Sequence, residues 1–537
     1  MAQKIKKYHY ILFVLLASCA QMFPPSGGEK DVTPPQILEE KTTPKNRTVN
    51  FNSKTIVLVF DEYVKLNNPG EQIIISPAME EKPDYVLKGK KLFIALNSEL
   101  KPNTTYTINF GNCISDITEN NPAAGMTYVF STGAFIDSLS LNGTVTNAFT
   151  NAPEKNVWVL LHKNLSDTSF QKNFPDYLAK TDANGNYSLQ NLSAGEYKIY
   201  ALKDGNSDYK YSQPSEEIAF HNETIVVAEK NEAVNLRLFN ELSEKQYLKS
   251  SKFIWPGRLQ MVMNRPYTEW NATVLPYDTI AKANMHSIYK NTIGDTIDIW
   301  LRKPATENGS EINVVLSMGE NQAKDTITFR VTGVKEKIPP MNLKTNAHTN
   351  FSLYDKLKLK YDRPTMLWKK EKMHLFKNDS VKVPIETGVL GYGISLINKW
   401  ENKTSYNLIL EDSAFADVFY KQYSKADTIS FSTVRKDFYG SILAQISVAD
   451  TNYVVEILGA SDKAIYQGKI ISDKKLIIEH LKPGTYKMKI YYDSNRNGKW
   501  DTGNLIEKKQ PEKIYYYNEP IVIRSNWDFE LTWKIEN

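Results

Sequence analysis

The sequence lacks the short motifs that accompany common kinds of catalysis. It contains no Gly-x-Ser-x-Gly turn for a nucleophilic serine, no His-Glu-x-x-His helix for zinc and no Gly-x-x-x-x-Gly-Lys loop for phosphate. Its seven histidines are scattered along the chain: His9, His162, His221, His286, His348, His374 and His480. These absences favour a protein without enzymatic activity.

The chain also has little excess charge and, after its N-terminal segment, no long apolar run. The formal net charge is +5 over 537 residues. A membrane-spanning helix needs about 18 or more consecutive apolar residues, and no later part of the sequence offers such a run. A strongly basic surface is the usual mark of nucleic-acid binding, so we expect no nucleic-acid partner.

The N-terminal segment has the form of a secretory signal. Three lysines precede an apolar run from Tyr10 to Leu16, and the string Leu16-Ala17-Ser18-Cys19 closes the segment. This string resembles the bacterial lipobox. The resemblance implies that residues 1–18 are removed, that the Cys19 thiol receives a diacylglycerol and that the new amine is acylated. The alternatives are an ordinary signal peptide that contains a cysteine, or a short membrane anchor.

Lipidation at Cys19 has consequences for the rest of the chain. Two or three acyl chains, at about 0.8 kcal/mol per buried methylene, hold a protein on a membrane stably where one chain does not. Loss of the three signal lysines lowers the net charge from +5 to +2. Cys113 is then the one remaining cysteine, so we expect no intrachain disulfide and a buried Cys113 beside its strand-like run.

Residues 19–34 are rich in Pro, Gly and Ser, which predicts an extended tether. In proteobacterial lipoproteins an aspartate directly after the lipidated cysteine holds the protein at the inner membrane, but Ala20 occupies this position here. The expected location is therefore the outer membrane. Glu29-Lys30-Asp31 resembles the acidic export signals of Bacteroidetes surface lipoproteins, which implies exposure on the cell surface. A body that faces the periplasm is the alternative.

The composition of the body favours strands. Aromatic residues make up 12% of the chain, and 31 of them are tyrosines. Short apolar runs separated by turn residues are typical of β-sandwiches. The expected fold class is all-β, with tandem β-sandwich domains behind a lipoprotein signal.

Residues 35–133 contain several strings that are typical of one domain family. They are Phe60-Asp61-Glu62, the run from Leu100 to Tyr106, and Phe130-Ser131-Thr132-Gly133, preceded by the Pro-Pro pair of Asp31-Val32-Thr33-Pro34-Pro35. Together they resemble the bacterial Ig-like domain that opens many Bacteroidetes lipoproteins. The resemblance implies that Asp61 and Glu62 mark a strand end; the alternative is a carboxylate pair for acid–base catalysis.

Residues 138–235 read as a second domain of alternating strands. Val157 to Leu161 is apolar, and Asn184-Gly185 predicts a type I′ hairpin turn, whose two central residues need positive φ. A further turn at Ala194-Gly195 leads into a strand from Tyr197. The pattern resembles the prealbumin-like sandwich, also called the carboxypeptidase regulatory-like domain, and the resemblance implies a spacer or binding platform.

The remaining sequence predicts three further domains. Strands such as 296–301 predict a β-sandwich over 236–335. The first two patterns then return about 300 residues later: Thr404-Ser405-Tyr406 matches 104–106, Phe431-Ser432-Thr433 matches 130–132, and 481–487 matches 192–198. We therefore predict a second Ig-like domain at 336–435 and a second prealbumin-like domain at 436–537.

One loop of the last domain has the ligand pattern of a calcium site. Its residues are Asp493, Asn495, Asn497, Lys499 and Asp501, with Gly498 at the bend. Alternating oxygen-bearing side chains and the backbone carbonyl of Lys499 are the ligands with which a short loop wraps Ca²⁺. The bidentate acid of such loops is missing, because Asn504 takes its place. The alternative is a tight turn in which Asp and Asn bond their own backbone.

A triplet of Asp, a hydroxyl residue and an apolar residue recurs seven times. The hydroxyl residues are Ser138, Thr279, Thr296, Thr326, Ser380, Ser413 and Thr428. The triplet is similar to the general O-glycosylation acceptor of Bacteroidetes, which implies glycan on at least one site. At any single site the alternative is a strand start.

These features favour a binding scaffold over an enzyme. We expect a non-enzymatic outer-membrane lipoprotein that binds an outer-membrane β-barrel protein and other lipoproteins, as an accessory subunit of an assembly or export complex. The alternative is a stand-alone surface lipoprotein that binds glycan or another extracellular ligand. Tyr515-Tyr516-Tyr517 forms either an interface patch or an edge strand with one buried face. An enzyme hidden in 236–335 and a pure spacer are the remaining hypotheses.

Overall fold

The structure is a computed structural model. It describes residues 30–213, 215–242, 246–266, 270–275, 286–290, 294–303, 307–318, 323–448, 452–470 and 475–535. The described residues are nearly all in strands or loops, with short helices at α1 (Pro69–Gln72) and α2 (Ser169–Lys172). The predicted all-β class with tandem sandwiches is confirmed. The signal segment 1–18 and Cys19 lie outside the described residues, as does most of the tether.

The chain divides into two compact units. One unit comprises Met1–Thr146, Pro153–Ser212 and Ile218–Leu238, and the other comprises Asn147–Ala152, Gln213–Glu217 and Phe239–Asn537. Five large hydrophobic cores are formed by the described residues. We number the sandwiches around these cores first to fifth in chain order. In the part of the chain that the structure describes, no helix is long and apolar enough to cross a membrane.

The first sandwich forms where alternating residues bury one face of each strand. Its strands are β1 (Thr55–Val59), β2 (Val64–Leu66), β3 (Ile74–Ser76), β4 (Asp84–Lys88), β5 (Lys91–Ala95), β6 (Thr105–Asn109), β7 (Ile114–Asp116) and β8 (Thr127–Ser131). They form the sheets β1-β5-β4, β3-β6-β8 and β2-β7. Cys113 is a free, buried thiol in this core, as predicted.

The second sandwich is built from one long ladder of strands. They are β9 (Leu139–Asn147), β10 (Trp158–His162), β11 (Tyr177–Lys180), β12 (Asn186–Leu192), β13 (Gly195–Lys203), β14 (Glu217–Phe220), β15 (Ile225–Val227) and β16 (Leu236–Asn240). The order is β11-β10-β13-β14-β16-β9-β12, and β15 pairs with β13.

The turn at Asn184-Gly185 differs from the predicted type I′ hairpin. Gly185 has a φ of 75°, but Asn184 does not have a positive φ. The backbone N–H of Gly185 donates to the carbonyl of Asp182, and the Asp182 carboxylate accepts the N–H groups of Asn184 and Asn186. The aspartate side chain holds the turn, so one left-handed residue is sufficient and the type I′ prediction is wrong.

His162 is buried in the second sandwich without a polar partner. It is 1% exposed, and neither ring nitrogen has a hydrogen-bond partner among the described residues. Burial lowers the pKa of His162 to about 4. The unfolded chain then binds the proton more readily than the folded one, so the free energy of unfolding has its full value above about pH 6.5. Between pH 6.5 and pH 4 it falls by about 1.4 kcal/mol per pH unit.

This predicts an acid-sensitive first unit. We expect the urea midpoint of the wild-type protein to decrease as the pH is lowered from 6.5 to 4. The part of this decrease that comes from His162 should be absent in His162→Phe. The same change at the exposed His221 is the control and should leave the pH dependence unchanged. An identical pH profile for wild type and His162→Phe would contradict the prediction.

The third sandwich has two sheets around one core. Its strands are β17 (Leu248–Ile254), β18 (Arg258–Met263), β19 (Trp270–Leu275), β20 (His286–Lys290), β21 (Thr296–Leu301), β22 (Glu311–Met318) and β23 (Ala323–Arg330). The sheets are β17-β18-β21-β20 and β19-β22-β23.

The fourth and fifth sandwiches follow in the second unit. The fourth contains β24 (Leu343–Thr345), β25 (Leu357–Tyr361), β26 (Thr365–Trp368), β27 (Met373–Lys377), β28 (Val381–Val383), β29 (Thr387–Leu390), β30 (Gly393–Leu396), β31 (Ser405–Leu410), β32 (Phe415–Asp417) and β33 (Asp427–Ser432). The fifth contains β34 (Gly440–Ser447), β35 (Tyr453–Leu458), β36 (Ala464–Lys469), β37 (Leu476–Leu481), β38 (Gly484–Tyr492), β39 (Ile514–Tyr516), β40 (Ile521–Ile523) and β41 (Asp528–Lys534). Strands β34 and β41 pair in parallel.

The residues that repeat in the sequence make the same contacts in both copies. Tyr106 stacks on Phe130 with ring centroids 5.1 Å apart, and Tyr406 stacks on Phe431 at 5.3 Å. The Tyr106 hydroxyl accepts the backbone N–H of Lys101, five residues upstream, and the Tyr406 hydroxyl accepts the equivalent N–H of the second copy. The first and fourth sandwiches therefore share one internal design.

Candidate functional site

The predicted calcium loop directly follows β38. Asp493 is 2% exposed, and each of its carboxylate oxygens accepts one backbone N–H: that of Asn497 at 3.0 Å and that of Gly498 at 2.9 Å. Gly498 has a φ of 75°, a conformation that glycine adopts without steric cost. The glycine at the bend is thus explained by the backbone alone.

The other predicted ligands converge on Asp501. The side-chain amides of Asn495 and Asn497 both donate to the same Asp501 oxygen, and the backbone N–H of Lys499 donates to the Asn497 side-chain oxygen at 2.7 Å. The five predicted residues therefore lie in one hydrogen-bonded loop, as their spacing suggested.

Glu512 completes this loop and was missed by the sequence reasoning. It is 5% exposed; one carboxylate oxygen accepts the Ser494 N–H and hydroxyl, both at 2.7 Å, and the other accepts the Asp501 N–H at 2.9 Å. Asn504, at the position where a calcium loop has its bidentate acid, instead exchanges backbone bonds with Lys509. Glu512 lies outside the loop in sequence, so spacing could not identify it.

The corresponding loop of the second sandwich has the same design. The Asp204 carboxylate accepts the backbone N–H groups of Asn206, Ser207 and Tyr209, and the Asn206 side-chain amide donates to Asp208 at 3.0 Å. Within the described residues, no group of three or more His, Cys, Asp or Glu residues is arranged to hold a metal ion. The geometry accounts for both loops as turns, and calcium binding stays a prediction.

A substitution at Asp493 separates the two interpretations. Asp493→Ala should lower the free energy of unfolding by about 2 kcal/mol, because two backbone N–H groups lose their acceptor. Melting temperatures of wild type and variant are compared in millimolar Ca²⁺ and in chelator. A Ca²⁺-dependent rise in the wild type that the variant lacks would support the metal site. Equal wild-type values in both buffers would favour the plain turn.

The predicted glycan acceptors fall in different local structures. Ser138, Thr326, Ser380 and Thr428 are exposed, whereas Thr296 and Ser413 are half-buried. Ser138 and Ser380 directly precede strands, and Thr296 and Thr428 are the first and second residues of theirs. Thr326 lies within β23. Thr279 is outside the described residues. Glycosylation stays a prediction.

Tyr515 and Tyr516 lie in the edge strand β39, and Tyr517 directly follows it. Strand β39 pairs with β38, and Tyr515 and Tyr517 pack against the fifth core. The Tyr516 hydroxyl donates to the carbonyl of Phe149 at 2.8 Å. All three side chains are half-buried, so this run does not offer an open patch.

A polar groove lies within the first unit. Its volume is about 810 Å³. Amide and hydroxyl side chains dominate its lining: Thr107, Asn109, Thr127, Asn142, Asn186, Ser188, Gln190 and Asn235. Among the described residues that line it, Tyr187 is the one aromatic and is 4% exposed, so these residues present no aromatic ring for stacking.

The end of the first sandwich where β2 and β7 pair has a different character. Tyr63 and Ile117 are joined there by a backbone hydrogen bond and are 59% and 55% exposed. Val32 follows Asp31, whose carbonyl accepts the Asn121 side-chain amide, and is 75% exposed. We call this surface the β2–β7 end. Lys90 lies over the Tyr63 ring, 5.6 Å from its centroid, and also donates to the Asp61 carbonyl. The surface thus combines apolar side chains with polar neighbours.

Carboxylates surround these apolar side chains. Burial raises the pKa of Glu62, and the negative charges of Asp116, Asp61, Asp31 and Glu119 raise it further. Burial by itself would also raise the pKa of Asp116, but hydrogen bonds from the backbone N–H groups of residues 119–121 outweigh it and the net pKa is lowered. The β2–β7 end therefore combines exposed apolar side chains with a group of carboxylates and the ammonium of Lys90.

The family comparison agrees with the predicted fold of the first domain. Residues 31–132 match the model of the bacterial Ig-like domain. This confirms the Ig-like part of the predicted resemblance. The lipoprotein and prealbumin-like parts stay predictions. No curated protein sequence matches the chain.

Solved structures with which the chain aligns are distant. They include the Bacillus anthracis TIE protein, 12% identical over 96% of this chain and 76% of that one, with a TM-score of 0.15. The human desmocollin-1 ectodomain is 8% identical over 88% and 95%, with a TM-score of 0.14. The T6 backbone pilin of Streptococcus pyogenes is 11% identical over 71% and 80%, also at 0.14. These TM-scores are too low to indicate a shared function.

Proposed function

We propose that this protein is a non-enzymatic, lipid-anchored scaffold of the outer membrane that works as an accessory subunit of a β-barrel assembly or export complex. The observation that carries the proposal is the β2–β7 end. Single exposed apolar residues are ordinary, but an exposed cluster rimmed by polar groups marks an interaction site. Ig-like and other sandwich folds act through such surfaces, with function set by the site and not by the fold.

The position of the β2–β7 end in the chain supports a membrane partner. Lys30, the first described residue, follows the predicted lipid site Cys19 by 11 residues. At no more than about 3.6 Å per residue, this length of chain reaches about 40 Å at most. An anchored protein would therefore hold the β2–β7 end within reach of a barrel in the same membrane.

A pull-down from native membranes tests the proposal. The full chain carries a C-terminal affinity tag, outer membranes are dissolved in mild detergent, and bound proteins are identified by mass spectrometry. We expect a β-barrel protein and other lipoproteins at stoichiometric levels. Cys19→Ala is the control and should lose both membrane attachment and the complex. Recovery of the tagged protein alone would overturn the proposal.

Surface exposure needs its own measurement. We place the body on the outer face of the outer membrane, following the resemblance of Glu29-Lys30-Asp31 to surface export signals. Protease added to intact cells should then degrade the body, while a periplasmic marker protein survives. Protection of the body until the cells are lysed would place it on the periplasmic face instead.

The polar groove favours one alternative, a surface lipoprotein that binds an uncharged polar ligand such as a glycan. Its amide and hydroxyl lining can form many hydrogen bonds. The described lining residues present no exposed ring, however, and so do not provide the stacking surface that sugars commonly use. Binding of soluble glycans by the purified chain, lost in Asn142→Ala, would support this alternative over the scaffold.

A further inference from the structure

The β2–β7 end has an internal counterpart in the fourth sandwich. Strand β2 pairs antiparallel with β7, and β26 pairs in the same way with β32. Asp116 and Asp417 occupy equivalent positions at the ends of β7 and β32, and each caps the backbone N–H groups of the turn that follows. With an offset of 301 residues, Glu62 corresponds to Arg363 and Ile117 corresponds to Val418.

The counterpart is covered by an aromatic residue of the third sandwich. Val418 is 0% exposed, and it forms a cluster with Phe419 and with Trp300 of β21. The Trp300 indole N–H donates to the Tyr392 hydroxyl at 3.0 Å, which in turn donates to Asp298 at 2.9 Å. The aromatic cover is therefore held in place by hydrogen bonds.

A cation is buried in the same counterpart. Arg363 is 2% exposed, and its guanidinium donates to the carbonyls of Pro339 and Pro340 and to the Asp362 carboxylate. Its Nη1 lies 3.5 Å from the buried Asp417 carboxylate, an ion pair slightly too long to count as a hydrogen bond. An aromatic ring and a guanidinium thus complete this end of the fourth sandwich.

In the described part of the first sandwich, neither element occupies the equivalent place. Glu62 stands where the fourth sandwich has its buried arginine, and its neighbours Tyr63 and Ile117 are mostly exposed. The equivalents of these two, Pro364 and Val418, are buried. The same framework therefore leaves Ile117 exposed, with Lys90 over the neighbouring Tyr63 ring, and has a carboxylate where the fourth sandwich has its guanidinium.

We infer that the β2–β7 end docks a partner protein that presents an aromatic side chain next to an arginine or lysine. The aromatic ring would cover Ile117, as Trp300 covers Val418, beside the Tyr63 ring over which Lys90 already lies, and the cation would meet Glu62. Complementary charge of this kind favours the correct partner and speeds its binding. The inference rests on the proposed function, because it describes the contact through which the scaffold would join its complex.

The observations favour such a partner over two other occupants. A membrane surface rich in anionic lipid would be repelled by the carboxylates of Asp31, Asp61, Glu62 and Glu119. A second copy of this chain could not use Trp300 in the same way, since that side chain is already buried within its own unit. Crosslinking distinguishes both of these occupants from a partner protein.

Photo-crosslinking in living cells tests the inference. A benzophenone amino acid replaces Tyr63 in the full chain, and Val226, which is 63% exposed on β15, carries it in the control. We expect a protein adduct from position 63 whose crosslinked peptide contains or adjoins an aromatic and a basic residue, with no such adduct from position 226. Adducts to lipid, adducts to a second copy, or no adduct at position 63 would each overturn the inference.

A charge reversal separates this inference from the proposed function. Glu62→Arg combined with Ile117→Asp should reduce the co-purified partner about tenfold, the loss expected for a central interface residue. Val226→Asp is the matched surface control and should not change recovery. Ile117 is exposed, and the half-buried Glu62 lies among carboxylates that repel it, so the melting temperature should not fall. A complex recovered undiminished would leave the scaffold function intact and refute this docking site, whereas no complex from the wild type would refute both.

Discussion

Replacing Arg363 by methionine is expected to lower the free energy of unfolding of the second unit by about 3 kcal/mol. Methionine keeps most of the side-chain volume but removes the guanidinium. The buried Asp417 carboxylate then loses its countercharge, and two proline carbonyls lose their donor. Removing one partner of a buried ion pair costs about 3–5 kcal/mol, because a charge is left uncompensated in the interior. Urea denaturation, monitored by circular dichroism, measures the change in the free energy of unfolding.

The same substitution at Arg435 is the control. Arg435 pairs with Asp437 at the surface, with 66% of its side chain exposed, and such pairs contribute little. We expect the unfolding curve of Arg435→Met to overlay that of the wild type. Equal stability of Arg363→Met and wild type would show that the bonds from the turn amides alone satisfy Asp417.

Replacing Trp300 by alanine should have an effect of similar size. The side chain is 4% exposed and packs against Val418 and Phe419. Truncation of a buried tryptophan costs about 3–5 kcal/mol, from lost burial and from the cavity that remains. The substitution also removes the indole N–H that donates to the Tyr392 hydroxyl. Burial raises the pKa of Tyr392, so this hydroxyl stays protonated without the indole. The free energy of unfolding of the second unit should fall accordingly.

Trp527 provides the matched control, because 56% of it is exposed. Trp527→Ala should change stability by no more than about 0.5 kcal/mol. Limited proteolysis adds a second measurement. In Trp300→Ala we expect faster cleavage near residues 336–341, between the third and fourth sandwiches. Unchanged cleavage together with unchanged stability would show that Trp300 does not join them.

Several local features were readable from the sequence because their causes are local. Strand β1 buries Ile56 and Leu58 and exposes Thr55, in line with a period of two. Asp61 follows β1 and accepts the backbone N–H of Gln36, which is the strand-end role that the family resemblance implied. The repeated Tyr and Phe strings likewise mark equivalent stacked pairs in the two copies.

Other features needed contacts that the sequence does not display. The prediction of a type I′ turn at Asn184-Gly185 was wrong because the Asp182 carboxylate accepts backbone N–H groups of the turn, so that a second left-handed residue is not needed. Glu512 was missed because it reaches the Asp493 loop from a segment outside the ligand pattern. In both cases a carboxylate accepts backbone N–H groups and so fixes the loop, and residue spacing does not predict such a bond.

The strands, the all-β class and the internal repeat follow from the order of the amino acids, since each depends on alternation and spacing along the chain. Which of the two equivalent strand ends, that of β7 or that of β32, is exposed depends on packing between sandwiches. Val418 and Ile117 occupy equivalent places on equivalent strands, yet the first is 0% exposed and the second 55%. The difference arises because Trp300, more than 100 residues before Val418, packs over the second copy. Burial of this kind depends on which domain packs against a strand end, and the local sequence of the strand does not predict that domain.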